Sequence, residues 1–261
     1  MRLIARQGEK DAAMWTAHYI AKRKAAFDAQ HPARPFVLGL PTGSSPILVY
    51  RELAAMQKTN GMCFDNLVTF NMDEYAGLPP DHPQSYHTFM KEQFLSRIKI
   101  DESRVHILDG CAEDLAAECA AYEKAIEDAG GIDLFLCGMG ENGHLAFNEP
   151  GSSMASRTRV VPLTRNTREV NARFFAGIDE VPEKALTVGI GTVMEAREIV
   201  VIATGMRKAA SVAACIEGPV SQWKPLSFLQ LHPNVTIVCD EGAVFELKYG
   251  TVTQFQAAER E

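Results

Sequence analysis

Residues 132–150 read IDLFLCGMGENGHLAFNEP, and the fold turns on how the glycines in this stretch are understood. Gly138, Gly140 and Gly143 spell GxGxxG directly after an apolar run that reads as a buried strand, the pattern of a dinucleotide-binding turn. That pattern needs a helix opening at the glycines and an acidic residue about 20 positions further on to hold a ribose. Here only six residues separate Gly143 from Pro150, too few for a crossover helix, and positions 150–168 contain no Asp or Glu. The dinucleotide reading fails. The glycines serve instead to turn the chain tightly or to let backbone approach a ligand, and Asn142, His144 and Glu149 need their own account.

Working outward, short apolar runs like 132–138 recur at 35–40, 67–70, 105–108, 185–190, 198–205 and 235–240. Helix-like segments lie between most of them, at 8–29, 45–58, 84–97, 113–129 and 206–217. Strands that are apolar throughout, alternating with helices, predict an α/β fold: a largely parallel, Rossmann-like sheet with helices on both faces. No repeat, low-complexity tract or Gly/Ser linker interrupts the pattern, so residues 1–261 read as a single domain. In such sheets ligands bind beyond the carboxyl ends of the strands. Polar and glycine-rich sequence gathers at those ends: PTGSSP (41–46), NMDEY (71–75), GMGENGH (138–144) and TGMRK (204–208).

Composition narrows the partners. The 261 residues are 46% hydrophobic and 23% charged, average for a soluble globular chain, and the formal net charge is −7 with both signs interspersed. That argues against non-specific nucleic-acid binding and against an anionic membrane surface. The N-terminal MRLIARQGEKDAAMWTAHYI lacks the apolar core of a signal peptide, and no apolar window is long enough to span a bilayer. The six cysteines (63, 111, 119, 137, 215, 239) show no CxxC pair and no zinc-like spacing, and Cys137 and Cys239 sit in apolar runs as core residues. The chain reads as a reduced, cytoplasmic protein with no structural metal.

Three polar stretches carry candidate chemistry. His144 and Glu149 fit a general base oriented by its carboxylate, and equally a loop histidine hydrogen-bonded for stability; HxxxxE alone supplies only two metal ligands. In PTGSSP, Gly43 turns the chain, Ser45 is placed to cap a helix and Pro46 to begin it, which makes either an anion site or an ordinary helix start. No Walker lysine is present, so a nucleotide triphosphate is not favoured. In FNMDEY, alternation along a strand sends Asp73 and Glu74 to opposite faces, so one serves a pocket and the other the structure.

Taken together, PFVLGLPTGSSP, VTFNMDEY, GENGHLAFNEPGSS and LQLHPNVTIVCD resemble the glucosamine-6-phosphate deaminases of the glucosamine/galactosamine-6-phosphate isomerase family, essentially end to end. The pairing of NMDEY with NGHLAFNEP separates that group from 6-phosphogluconolactonases, which share the fold and the phosphate loop. The resemblance implies conversion of glucosamine 6-phosphate and water to fructose 6-phosphate and ammonia without a cofactor. It implies that His144, flanked by Asn142 and Glu149, opens the sugar ring, and that Asp73 moves a proton between carbons 2 and 1. It places the substrate phosphate on Thr42, Gly43, Ser44 and Ser45, with Arg173 and Lys208 supplying charge, and makes 162–182 a lid. A lactonase on the same scaffold needs no base at carbon 2. A non-catalytic sugar-phosphate sensor needs a DNA-binding segment for which no sequence is left over. The family contains monomers and hexamers, so a homo-oligomer is compatible with the resemblance. Relatives activated by N-acetylglucosamine 6-phosphate use a serine, an arginine, a lysine and a tyrosine; Ser152 and Arg159 match, whereas Val161 and Gln254 stand at the other two positions.

Overall fold

A computed structural model describes residues 1–59 and 61–259. Seven strands form one parallel sheet: β1 (Arg2–Arg6), β2 (Phe36–Leu40), β3 (Leu67–Asn71), β5 (Val105–His106), β6 (Leu134–Gly138), β9 (Ile199–Ala203) and β10 (Val235–Asp240). Their order is β1-β10-β9-β6-β2-β3-β5. Every position of β2, β3, β9 and β10 is buried, which is why these strands read as unbroken apolar runs. Alternation then divides each strand between two cores. In β6, Leu134 and Leu136 face one core with Leu38, Leu40 and Tyr50. Phe135 and Cys137 face the other with Val37, Phe70 and Tyr122.

Helices α1 (Glu9–Gln30), α2 (Ile47–Thr59) and α3 (Tyr86–Gln93) cover the first face. The second is covered by α4 (Leu115–Asp128), α6 (Ile190–Met194) and α7 (Ala209–Ile216), with α8 (Tyr249–Glu259) closing the β1 edge. Large side chains fully buried in this way contribute about 1.5–3 kcal/mol each, before the entropy of ordering them. Cys137 and Cys239 are buried core residues, as their apolar surroundings suggested.

Two expectations need correcting. The run 185–190 is not a strand of the parallel sheet. Its strand, β8 (Lys184–Thr187), pairs antiparallel with β4 (Asp73–Tyr75) and with β7 (Arg159–Pro162), and α6 begins at Ile190. Ala185, Leu186 and Thr187 of β8 are fully buried, as residues of the parallel strands are, so composition did not reveal its direction. The second correction concerns PTGSSP. The first helical bond of α2 runs from the Tyr50 N–H to the Pro46 carbonyl at 2.9 Å, so the cap position belongs to Pro46 and not to Ser45.

The strand order reverses between β2 and β6: the chain moves from β2 outward through β3 and β5, then returns to β6 on the other side. A crevice opens where neighbouring strands lead away in opposite directions. The segments that follow β2, β3 and β6 carry Thr42–Ser45, Asp73 (the first residue of β4) and Asn142–Glu149 respectively. Among the described residues, no helix is long and apolar enough to cross a membrane.

Candidate active site

The glycines of the 138–143 loop have local tasks. A Cβ at Gly140 would collide with the imidazole of His144, so that glycine leaves room for the ring. Gly143 turns at φ 86°, in the left-handed region that favours glycine. The turn is closed by Gly143 N–H to the Gly140 carbonyl at 3.0 Å and Gly140 N–H to the His144 carbonyl at 3.1 Å. No helix follows before β7, consistent with the rejected dinucleotide pattern.

This loop lies against the strand end that carries Asp73. The Phe147 N–H donates to Thr187 Oγ1 at 3.2 Å, and Asn148 Nδ2 donates to the Val188 carbonyl at 2.8 Å. Thr187 is the register partner of Asp73, and the Val188 N–H donates to the Met72 carbonyl at 2.8 Å. Ala146, at φ 52°, is the one non-glycine residue with positive φ among the described residues. Backbone strain of this kind persists where surrounding contacts impose it.

Asp73 and Glu74 separate as alternation requires. Glu74 is fully buried and accepts from the Tyr75 N–H at 2.7 Å, the Tyr86 N–H at 2.8 Å and the His87 N–H at 3.1 Å. It therefore caps the start of α3, where free backbone N–H groups favour an anion. Burial pushes its pKa up to about 7 against the pull of these three donors. Asp73 is 6% exposed, and its Oδ1 has no hydrogen-bond partner. Burial, followed by the Glu74 charge, pushes its pKa up to about 8, with the Thr42 hydroxyl pulling the other way. A buried carboxylate with a free oxygen and a raised proton affinity is equipped to take a proton from a weak carbon acid.

His144, Asn142 and Glu149 form one unit. Asn142 Nδ2 donates to Glu149 Oε2 at 2.8 Å, and Asn142 Oδ1 accepts from the His144 N–H at 3.1 Å. His144 Nδ1 is 3.9 Å from the same Glu149 oxygen and is otherwise unpartnered. Burial lowers the histidine pKa; Glu149 and Glu141 oppose this, and Lys208 adds to it. The imidazole is thus biased toward the neutral, proton-accepting form.

Positive charge collects beside this unit. Lys208 is half-buried, and its pKa is lowered first by burial and then by neighbouring Arg207 and Arg173, against Glu141. The exposed Arg173 guanidinium lies over the Phe174 ring, 4.6 Å from its centroid. Gly43 and Ser44 are exposed at the start of α2, where Gly43 turns at φ 90° and Thr42 reaches Asp73. Backbone N–H groups at a helix start favour an anion, and Lys208 lies close enough to His144 to act on its titration.

Residues given no individual role by the sequence also lie beside these groups, Thr167 and Phe175 among them within the 162–182 span expected as a lid. The Thr167 hydroxyl donates to Glu149 Oε1. Lys224 Nζ donates to the Asn142 carbonyl at 3.0 Å, and the Leu226 N–H to the Gly143 carbonyl at 3.0 Å, bracing the loop from behind. Tyr75, Tyr86, Phe147 and Phe175 stack into an aromatic wall beside β4. None of these follows a sequence period; each contact joins segments that only the fold brings together. Among the described residues, no group of three or more His, Cys, Asp or Glu side chains is arranged to hold a metal ion. A shallow concavity of about 540 Å³, lined by Ala76, Gly77, Cys111, Glu183 and Lys184 among others, shares no residue with the site.

Comparison with known proteins identifies the family. Residues 7–238 match the family of glucosamine-6-phosphate isomerases and 6-phosphogluconolactonases. A protein of Phocaeicola vulgatus named glucosamine-6-phosphate deaminase is 50% identical over 261 residues, covering 100% of this chain and 99% of that one. One of Tolumonas auensis with the same name is 52% identical over 260 residues, covering 99% and 97%. Among solved structures, a monomeric glucosamine-6-phosphate deaminase superposes with a TM-score of 0.90 at 41% identity, covering 94% of this chain and 100% of that one. The 6-phosphogluconolactonase of Trypanosoma cruzi superposes with a TM-score of 0.76 at 20% identity, covering 95% and 97%, a likeness of fold alone. By the family match over most of its length and by relatives of half identity from end to end, the chain belongs to the glucosamine-6-phosphate isomerase/6-phosphogluconolactonase family.

Proposed function

We propose that this protein is a cofactor-independent glucosamine-6-phosphate deaminase, converting glucosamine 6-phosphate and water to fructose 6-phosphate and ammonia. The observation that carries the reading is the pairing of two proton acceptors at the sheet's switch point. Asp73 is buried with a free oxygen, and His144 is backed by Glu149 and Asn142. Relatives at about half identity bear the corresponding name.

Each residue then has a task. Thr42–Ser45, Arg173 and Lys208 hold the phosphate and so fix where carbons 1 and 2 lie. Neutral His144 accepts the proton of the anomeric hydroxyl, and the ring opens to the aldehyde as the ring oxygen is protonated. Asp73 removes the proton from carbon 2 while the substrate ammonium gives one to the carbon 1 oxygen, leaving an enolamine; the carboxyl then returns its proton to carbon 1, leaving a protonated imine at carbon 2. Water adds to that imine and ammonia departs, which gives the ketose. One carboxylate serving adjacent carbons must be a stronger base than an exposed aspartate, and burial of Asp73 supplies that strength.

The required partner is a small sugar phosphate, without nucleic acid or membrane, and the proposed setting is the cytoplasm. A homo-oligomer is compatible with the aromatic side chains left on the surface, Trp223, Phe245 and Tyr249. Sedimentation at micromolar concentration separates it from the monomer described for the 41%-identical relative. Assaying ammonia release from glucosamine 6-phosphate beside hydrolysis of 6-phosphogluconolactone tests the reaction. Ammonia without lactone hydrolysis is expected. Lactone hydrolysis alone favours the other branch of the family, and neither activity favours a sensor.

A further inference from the structure

Glu149 is held from two sides, and only one of them belongs to the histidine loop. Its Oε2 takes the Asn142 amide at 2.8 Å, and its Oε1 takes the Thr167 hydroxyl. Thr167 lies on α5 (Arg165–Asn171) and is 8% exposed. Helix α5 is capped by Thr164, whose Oγ1 accepts the Thr167 N–H at 3.2 Å and donates its own proton to Thr167 Oγ1 at 3.0 Å. The hydroxyl hydrogens therefore run one way, Thr164 to Thr167 to Glu149. The cap of α5 is complete without the Thr167 side chain, so its hydroxyl is left to a single recipient, a half-buried carboxylate 18 residues earlier in the chain.

We propose that Thr167 is a positioning residue for the ring-opening base: by anchoring Glu149 Oε1 it keeps Oε2 on Asn142 and short of a full ion pair with His144. This rests on the role given to His144 above. A carboxylate bonded at both oxygens has little reason to turn. Without the Thr167 donor, Oε1 loses its one side-chain partner in a carboxylate only 15% exposed, a costly state. The nearest remedy is rotation toward His144 Nδ1, now 3.9 Å from Oε2. A closer carboxylate favours imidazolium and makes the histidine a poorer acceptor at neutral pH. The other charges that act on the imidazole, Glu141 and Lys208, are untouched by changes at 167.

The test compares Thr167→Val, which keeps the shape and deletes the donor, with Thr167→Ser, which keeps the donor. The His144 titration is followed by NMR on the ligand-free protein, and kcat and KM are measured by ammonia release. Thr167→Val should raise the His144 pKa by about half a unit or more and lower kcat by roughly tenfold, with KM within about twofold of wild type. Thr167→Ser should restore both. Thr167→Ala supplies the same deletion if valine is not tolerated, and thermal unfolding of each variant is followed in parallel. An unmoved His144 titration in the donor-less variants, or a serine variant as impaired as the valine one, overturns the proposal. The titration needs no substrate, so it can fail while the wild type still releases ammonia, and a wild-type protein that released none would sink the deaminase reading whatever the titration showed.

Discussion

A carboxylate enclosed at a strand end with one oxygen unpaired is costly to the folded protein, and Asp73 is such a group. Its folded pKa, about 8, lies above its unfolded value near 3.8. Stability from this group is therefore fully present below pH 4 and is lost as pH rises through about 8. Replacing Asp73 by Asn removes the buried charge. Each tenfold change in proton affinity is worth about 1.4 kcal/mol, so the variant should be more stable than wild type by a few kcal/mol at pH 9. The gain should vanish toward pH 4. Urea denaturation at the two pH values measures it, and a variant less stable at pH 9 would contradict the account. Asn142 supplies a second prediction at this scale. Its amide donates to Glu149 beside a histidine already biased to neutrality. Asn142→Asp adds an anion near the imidazole, so the His144 titration should move up by roughly half to one unit. A titration that stays in place would mean that residue 142 does not act on the ring.

At the scale of the element, the neighbour of Asp73 does the opposite job. Glu74 ties the start of α3 to β4 through three backbone N–H groups, in a fully buried position. Glu74→Ala leaves those donors without an acceptor and should cost roughly 3 kcal/mol or more, read as a lower urea midpoint. A loss below about 1 kcal/mol would mean that other groups satisfy α3. Strand alternation made the division between these two acids legible in the sequence. Which acid faces the site was not, because that depends on where α3 begins in space. The strands of the parallel sheet were readable as apolar runs, all except β1, whose five residues RLIAR carry an arginine at each end and break the pattern. Strand β7 was hidden for a related reason: its pattern mixes Arg159 and the exposed Pro162 with Val160 and Val161, so no apolar run marks it. Thr167 and Lys224 left no sequence signal at all. Their partners lie 18 and 82 residues away, joined by tertiary contact rather than by any period.

For the whole molecule, the reversal of strand order brings the segments after three strands to one end of the sheet, and the small antiparallel sheet carries Asp73 there. That second sheet also bears on regulation. Arg159 is spent within the chain, donating to Asn148 Oδ1 at 2.9 Å and to Ser152 Oγ at 3.4 Å. Val161 is buried with Tyr75, Phe147, Leu163 and Ala185, where relatives with an activator site place a lysine. A charge-assisted contact of the kind missing here is worth about 1.5–3 kcal/mol, as much as a typical allosteric coupling. Kinetics should therefore be hyperbolic and insensitive to N-acetylglucosamine 6-phosphate; sigmoidal curves relieved by micromolar activator would contradict this. The central claim, that Asp73 carries the proton between carbons 2 and 1, is tested most directly in deuterated water. Substrate and product recovered from wild type should carry solvent deuterium at those carbons. Asp73→Asn should bind glucosamine 6-phosphate yet neither exchange the carbon 2 proton nor release ammonia. Deamination by that variant at near wild-type rate would contradict the account.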